Sequence, residues 1–281
     1  MRLFPLQLRG ELWKLFARKR THLGFAVFFT VEILILLLVH LPAGQRTMKK
    51  MIEGNGGIFG DYFSGLTLAM IMVTMTVFFL GALFLGLIGG DLVAKEVEDG
   101  TMRMTLCRPA SRLRVLGVKY AACVIYTFVL VFFIGGSALA AASLVRGAGG
   151  LFIWAPEEKL MVLYDFGPGL LRYCAALPCL ALSLLTISTF SFQLSCWNMK
   201  PAAATIAAIT LFFVDWILHF VPYFETYRPW MMTTHMSTWL NIFRDPVPWQ
   251  RMVEDYSYLI GLDATFLVLG AVVFASRDFK S

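Results

Sequence analysis

The sequence predicts an all-α polytopic membrane protein, on three observations. Hydrophobic residues make up 58% of the 281 residues and charged residues only 15%, with a mean hydropathy of +0.72. An ordinary soluble domain is about 45–50% apolar and about 25% charged. The apolar residues fall into runs long enough to cross a bilayer, and most Lys and Arg residues lie between these runs. A soluble enzyme, a disordered chain and a nucleic-acid-binding protein are therefore poor interpretations.

Six stretches reach the length of about 20 mostly apolar residues that a transmembrane helix needs. They are residues 23–41, 62–90, 118–145, 170–194, 201–221 and 258–276. Pro201 fits the first turn of span five, where its missing N–H group costs nothing, and Pro178 should kink span four.

The distribution of basic residues predicts the orientation. One set of flanks carries 14 Lys and Arg residues, and the other set carries 8. The richer set comprises residues 1–22, 91–117, 195–200 and 277–281, and the poorer set comprises residues 42–61, 146–169 and 222–257. Cytoplasmic loops retain Lys and Arg, so we expect both termini to be cytoplasmic.

We expect a single transmembrane domain over residues 1–281, with two special segments. Residues 1–22 predict an amphipathic helix on the inner membrane surface, or else a plain basic topology signal. Its apolar stripe is formed by Leu8, Leu12, Leu15 and Phe16. The extracytoplasmic loop 222–257 carries Trp230, Trp239 and Trp249. This composition predicts short helices at or in the outer leaflet, or an ordinary aromatic belt.

The largest inner loop, residues 91–117, predicts a compact helix–turn–helix. Acids at Glu96 and Glu98 lie on a helix that leaves the membrane, and Gly100 can end it in a left-handed conformation. Thr101 can cap a second short helix, and Pro109 interrupts the chain before the next one. Such a projection is either a docking element for a soluble partner or a solvated loop that binds nothing.

The order of residues in and after this loop resembles the ABC type-2 export permease family. The matching residues are Glu96, Glu98, Gly100, Thr101, Leu106, Pro109, Ser111, Arg112 and Lys119. The predicted topology is also similar to that family, as is the closing Phe274 with Arg277-Asp278-Phe279. The pair Cys107-Arg108 departs from the small or apolar residues of many members.

The resemblance implies the permease subunit of an ATP-driven exporter, located in a bacterial cytoplasmic membrane and working as a homodimer or heterodimer. It implies no catalysis and no cofactor in this chain, because a separate ATPase subunit would bind ATP and Mg²⁺. The chain has no G-x-x-x-x-G-K-[ST] phosphate loop. The partners would be that ATPase, a second permease and the lipid bilayer, without nucleic acid. The implied ATPase-coupling residues are Glu96, Glu98, Gly100, Thr101, Arg108, Pro109 and Arg112.

Ionisable residues inside the spans are further candidates, because burying them is costly. Glu32 lies in the middle of span one, Asp215 and His219 lie one turn apart in span five, and Asp263 lies near the outer end of span six. Asp215 and His219 could share a hydrogen bond. These groups either line a pathway or lock helices together.

Two other classes compete with the permease. A membrane enzyme would need a nucleophile and base or a metal centre, and only Asp215 with His219 could supply a base pair. The five cysteines show no metal-ligand spacing. An ATP-independent transporter or channel would be favoured by inverted repeats, and the sequence shows no clear internal symmetry.

Overall fold

The computed structural model describes residues 3–106, 111–158 and 160–277, and most of them are helical. The helices are α1 (Leu3–Ala17), α2 (Lys19–His40), α3 (Pro42–Gly54), α4 (Phe59–Tyr62), α5 (Gly65–Thr76), α6 (Ala82–Glu98), α7 (Thr101–Leu106), α8 (Arg112–Arg146), α9 (Phe166–Cys196), α10 (Pro201–Phe220), α11 (Met232–Met236) and α12 (Trp249–Ser276). A π-helical segment, Val77–Gly81, joins α5 to α6. Short 3₁₀ segments cover Pro156–Glu158, Pro222–Trp230 and Ser237–Phe243.

The predicted fold class is confirmed: the chain is an all-α polytopic membrane protein. Five helices are long and apolar enough to cross a membrane, namely α2, α8, α9, α10 and α12. The α5–α6 pair passes the same test as one span bent by 45°. With that pair counted as a span, the described residues hold six candidate spans by length and composition, and the count of six stays a prediction. Pro201 lies in the first turn of α10, and Pro178 lies inside α9, as predicted.

Helix α9 lies at the centre of the bundle. It packs against α6, α8, α10 and α12, and half of its apolar window is buried. Small residues allow these close approaches, because a Cβ atom at Gly89 of α6 would lie 2.5 Å from the Ser188 carbonyl oxygen of α9. A Cβ atom at Gly135 of α8 would likewise meet the Leu177 side chain of α9.

A layer of short elements covers the end of the bundle opposite the termini. It contains an antiparallel hairpin, β1 (Leu151–Ala155) and β2 (Leu160–Tyr164), which the sequence analysis did not predict. The short helices between α10 and α12 were predicted. Trp239 is buried among them, whereas Trp230 and Trp249 are exposed. The later part of the segment, Ser237–Phe243, therefore packs on the protein, and α9 is one of its contacts.

Helix α12 extends beyond the predicted sixth span. It begins at Trp249, well before the predicted start at residue 258. The reason is that polar residues of the first turns, including Gln250 and Glu254, continue the helix beyond the apolar stretch from which the span was predicted. Asp263 is in the middle of this longer helix, while its place near the start of the apolar stretch stays a prediction of its depth in the membrane.

The N-terminal helix α1 packs against the bundle through the end of its apolar stripe. Leu15 is buried, and the Phe16 ring lies 6.5 Å from the Phe25 ring and 6.0 Å from the Tyr126 ring, measured between centroids. Trp13, next to the stripe, is exposed. Part of the apolar face that was predicted to meet lipid therefore contacts α8 and α2.

Candidate coupling site

The turn after α6 has the backbone conformation that the sequence predicts. Helix α6 ends at Glu98, and the Gly100 amide donates a hydrogen bond to the Val97 carbonyl at 3.1 Å. Gly100 has a φ of +71°. A Cβ atom there would meet open space, so the left-handed backbone alone favours glycine.

Two helices, α7 and α8, begin after this turn. Thr101 begins α7, and its hydroxyl group donates to the Glu96 carbonyl at 3.3 Å, which joins the short helix to the end of α6. Ser111 caps α8, since its hydroxyl oxygen accepts from the Arg114 amide at 3.3 Å. The predicted coupling residues Arg108 and Pro109 lie outside the described residues.

Glu96 points into the protein. Only 6% of the residue is exposed, and its carboxylate lies 2.8 Å from the Lys119 ammonium group and 3.5 Å from the Lys14 ammonium group. From its place in the loop, the sequence predicts that Glu96 contacts either a basic patch of the ATPase or Arg108 and Arg112, and neither lysine is among these partners. The charge of Glu96 is thus paired between helices of this chain.

Lys119 is the centre of this contact. Its side chain is 1% exposed. Its ammonium group donates to the Glu11 carboxylate at 3.1 Å and to the Leu92 carbonyl at 3.2 Å, and it forms an ion pair with Glu96 at 2.8 Å. The two carboxylates matter because a buried charge is tolerated only when it is paired.

We call Glu11, Lys14, Glu96 and Lys119 the inner ion network, because the sequence predicts that this end of the bundle is cytoplasmic. Lys14 completes it by contacting Glu11 at 2.8 Å. Two positive and two negative charges balance, and they connect three elements: α1, the end of α6 and the start of α8. The network was not predicted from the sequence. Lys119, at the apolar start of span three, nevertheless indicates that an acidic partner lies nearby.

Opposing effects act on the pKa values of the two network residues on α1. Burial favours a neutral Glu11, but the Lys119 and Lys14 ammonium groups outweigh burial and lower the pKa of Glu11. Burial likewise favours a neutral Lys14, but Glu11 and Glu96 outweigh it and raise the pKa of Lys14. The stabilisation by Glu11 is therefore lost as the pH falls through its lowered pKa, and that by Lys14 is lost as the pH rises through its raised pKa. Between these limits both groups stay ionised.

Glu98 has a different environment from Glu96. Its carboxylate is exposed and pairs with the Lys95 ammonium group at 2.9 Å, and the neighbouring Asp99 lies 3.2 Å from the same group. Residues two positions apart project from nearly opposite sides of a helix. The two glutamates that the sequence grouped together are therefore separated: one is buried between helices, and the other faces outward beside the turn.

Two further arginines tie the same end of the bundle together. Arg20, at the start of α2, pairs with the buried Asp91 of α6 at 2.9 Å. Arg112, a predicted coupling residue, donates to the carbonyl oxygens of Ala275 and Arg277 at 2.8 and 2.9 Å. Arg112 therefore holds the C-terminal end of α12, where unpaired carbonyl groups attract cations.

The predicted hydrogen bond between Asp215 and His219 is wrong. Asp215 accepts from the Thr233 amide at 2.8 Å, and the His219 ring contacts the Thr234 hydroxyl group at 3.2 Å. Both side chains hold the first turn of α11, because the amide groups at a helix N-terminus have no partner within the helix and attract a carboxylate.

Glu32 and Asp263 lie inside the subunit. Glu32 is fully buried in α2, and neither of its carboxylate oxygens has a hydrogen-bond partner among the described residues. Asp263 is buried as well, and Thr186 and Thr189 of α9 face it. A pathway role for these two acids stays a prediction.

One family comparison identifies the chain. Residues 7–196, from α1 to the end of α9, match the family described as "ABC-2 family transporter protein". The chain belongs to the ABC-2 transporter family. This ABC-2 protein is therefore a permease component of an ABC transporter and an integral, multi-pass membrane protein. The matched segment contains the whole inner ion network. No curated protein matches the chain.

Membership in the ABC-2 family also bears on the competing interpretations. The membrane subunits of this family are transporter components that are generally not catalytic themselves, and the family implies association with an ABC ATPase. A membrane enzyme built on Asp215 and His219 is further disfavoured by geometry, since the two side chains bond to α11 and not to each other.

Proposed function

We propose that this ABC-2 permease is the membrane subunit of an ATP-driven exporter in a bacterial cytoplasmic membrane. Two permease copies, identical or different, would each bind a separate ATPase subunit that holds ATP and Mg²⁺. The observation that carries the proposal is the inner ion network, because it connects α1 and α8 to the end of α6 directly beside an exposed, sharply turned segment.

The predicted orientation, with both termini in the cytoplasm, is supported by contacts that bring the basic flanks together. Arg112 binds the end of α12, and Arg277 donates to the Trp197 carbonyl at 2.8 Å, in the connection between α9 and α10. Lys119 pairs with Glu11 at the same end. The flanks that are richer in Lys and Arg thus lie on one face of the bundle, and basic flanks favour the cytoplasmic side.

The two glutamates would have different tasks in coupling. Glu98, with Asp99, is exposed beside the turn and is suited to contact a basic surface of the ATPase. Glu96 is buried and is suited to transmit motion, since displacement of α6 would pull Lys119 and with it α8. Gly100 and Thr101 would set the direction of α7 relative to α6.

A second permease copy is supported by the apolar surface of α10. Leu211, Val214 and Ile217 are exposed on this helix, while Ala204 and Ala208 are buried. A partner copy would cover part of that surface, and lipid would cover the rest.

The proposal is tested by purifying the tagged chain from membranes of its source organism. We expect an ATPase with a phosphate loop to co-elute, and we expect the isolated chain to bind no ATP. The double variant Glu98→Gln with Asp99→Asn should recover less ATPase, by about fivefold for each ~1 kcal/mol of lost contact energy. Glu53→Gln is the matched control, because Glu53 is a similarly exposed acid on the opposite face.

The variant Glu96→Gln distinguishes the transmission of motion through α6 from the binding of the ATPase. This buried residue should leave the amount of bound ATPase unchanged but uncouple ATP turnover from transport. Saturable ATP binding by the chain alone, or ATPase recovery that is identical in the wild type and the Glu98→Gln/Asp99→Asn variant, would contradict the proposal.

A further inference from the structure

Helix α3 is held at a fixed position beside the end of α2, on the face opposite the termini. Only Leu41, in an extended conformation, separates the two helices. A Cβ atom at Gly44 would lie 2.6 Å from the Leu38 carbonyl oxygen, so the corner is packed tightly. The Gln45 side chain also donates to the His40 carbonyl at 3.0 Å. Since α2 is a predicted membrane span, α3 starts at the level where that span leaves the hydrocarbon layer.

Helix α3 has two unlike faces. Ile52 is fully buried, and Met48 and Met51 pack against the core. Arg46, Lys49 and Lys50 are exposed on the other side, and we call these three residues the α3 cationic face. The apolar face packs on the protein, so the α3 cationic face points away from it.

The charge of the α3 cationic face is largely unbalanced. Lys49 contacts Glu53 of the same helix at 3.8 Å, which is a long and exposed ion pair. Within the described part of the chain, no ion pair involves Arg46 or Lys50. Three cations and one acid leave a net charge of +2 on the helix (3 − 1).

Exposed leucines lie directly before this helix: Leu37, Leu38 and Leu41, at the end of α2. In a membrane protein we expect such leucines to face acyl chains. We therefore expect the basic side chains that follow within one or two turns to lie at the depth of the lipid headgroups.

We propose that the α3 cationic face binds the headgroups of anionic phospholipids in the leaflet at this end of the bundle. Phosphate oxygens accept hydrogen bonds from Arg and Lys, and a basic residue near an anionic surface is attracted to it. This interaction rests on the membrane location of the chain and not on the ATPase contact, so either can fail without the other.

The test measures which lipids lie beside α3. Thr47→Cys, which is exposed on α3, is labelled with a fluorophore in a chain with Cys107 and Cys174 replaced by serine. The protein is reconstituted into phosphatidylcholine nanodiscs that contain trace phosphatidylglycerol or phosphatidylcholine with a headgroup quencher. We expect stronger quenching by phosphatidylglycerol than by phosphatidylcholine. This excess quenching should fall about fivefold for each cation removed, the equivalent of ~1 kcal/mol each. The variants that remove the cations are Arg46→Gln, Lys49→Gln and Lys50→Gln.

A variant that is expected to change the excess quenching in the opposite direction provides a second test. Glu53→Gln should raise the excess quenching, because it frees Lys49 and removes the only acid of α3. It also decides the matter if the triple variant does not fold. Unchanged quenching in the triple variant would overturn the proposal, as would no rise in Glu53→Gln. Equal competition by soluble glycerophosphate would also overturn it, since the face would then bind soluble anions.

Discussion

The two ends of the bundle are held together by different kinds of contact. At the end that carries the termini, charged side chains contact each other: Lys119 with Glu96 and Glu11, and Arg20 with Asp91. At the opposite end, ion pairs such as His235 with Asp255 at 2.7 Å occur beside side-chain bonds to backbone carbonyl groups of other elements. Tyr164 donates to the Phe243 carbonyl at 2.8 Å.

Arg172 is the clearest example at that opposite end. It donates to the carbonyls of Ile242 and Arg244 at 2.9 and 2.6 Å, and its guanidinium group lies 4.5 Å from the centre of the Tyr164 ring. Backbone acceptors are fixed by the elements that contain them, whereas carboxylates on long side chains can keep a partner while a helix shifts. We therefore expect the end that carries the termini to move as connected helices and the opposite end to move less.

The largest effect is expected from Lys119→Met. This change removes the buried partner of Glu11 and Glu96 and leaves the two acids only the half-exposed Lys14 ammonium group, and breaking such a buried pair costs about 3 kcal/mol or more. Thermal unfolding in detergent measures the loss. Lys95→Met is the matched control, because Lys95 lies near the same end of α6 but its ion pairs are exposed. Equal stability of the two variants would refute the idea that the network holds the inner end.

Arg172→Ala should lower the free energy of unfolding by about 2 kcal/mol, because it removes two charge-assisted hydrogen bonds and a ring contact at the opposite end. If the two ends differ as described, this variant should unfold at a lower temperature yet recover a normal amount of ATPase. A loss of bound ATPase in folded Arg172→Ala protein would show that the ends are not independent.

Gly100→Ala should cost about 1 kcal/mol, since a side chain disfavours the left-handed conformation observed there. The change should also misdirect α7 and weaken ATPase recovery. Gly117→Ala serves as the control: it lies in α8 with no atom near a new Cβ, so it should be neutral or slightly stabilising. Identical behaviour of the two variants would show that the turn conformation is unimportant.

The smallest effect on stability is expected from Glu98→Gln, within about 0.5 kcal/mol, because the ion pair with Lys95 is exposed. Its unfolding temperature should match that of the wild type. A large destabilisation would mean that Glu98, like Glu96, is a structural contact and not a surface for a partner.

The spans and the turn were predictable because hydropathy and a left-handed glycine are local signals. The α6 acids were harder: their spacing places Glu96 and Glu98 on different faces, but only the packing of α8 shows which one meets Lys119. The hairpin did leave a signal that was not used, since Leu151–Ala155 and Leu160–Tyr164 are short apolar runs around a polar turn. The early start of α12 was not predicted, because a helix can continue into polar residues beyond its apolar stretch.

The π-helical segment Val77–Gly81 has a consequence for the distant inner end. A π-bulge contains one residue more than the α-helical turn it replaces, and one residue corresponds to about 100° of rotation around the axis. It lets α5 pack on α8 while α6 packs on α9 and α10. Deleting one residue there would restore a regular helix and turn Glu96 away from Lys119 without altering either side chain. The pairing of charges at this end of the bundle therefore depends on the rotation of α6 around its axis. That rotation is determined by the π-helical segment between α5 and α6.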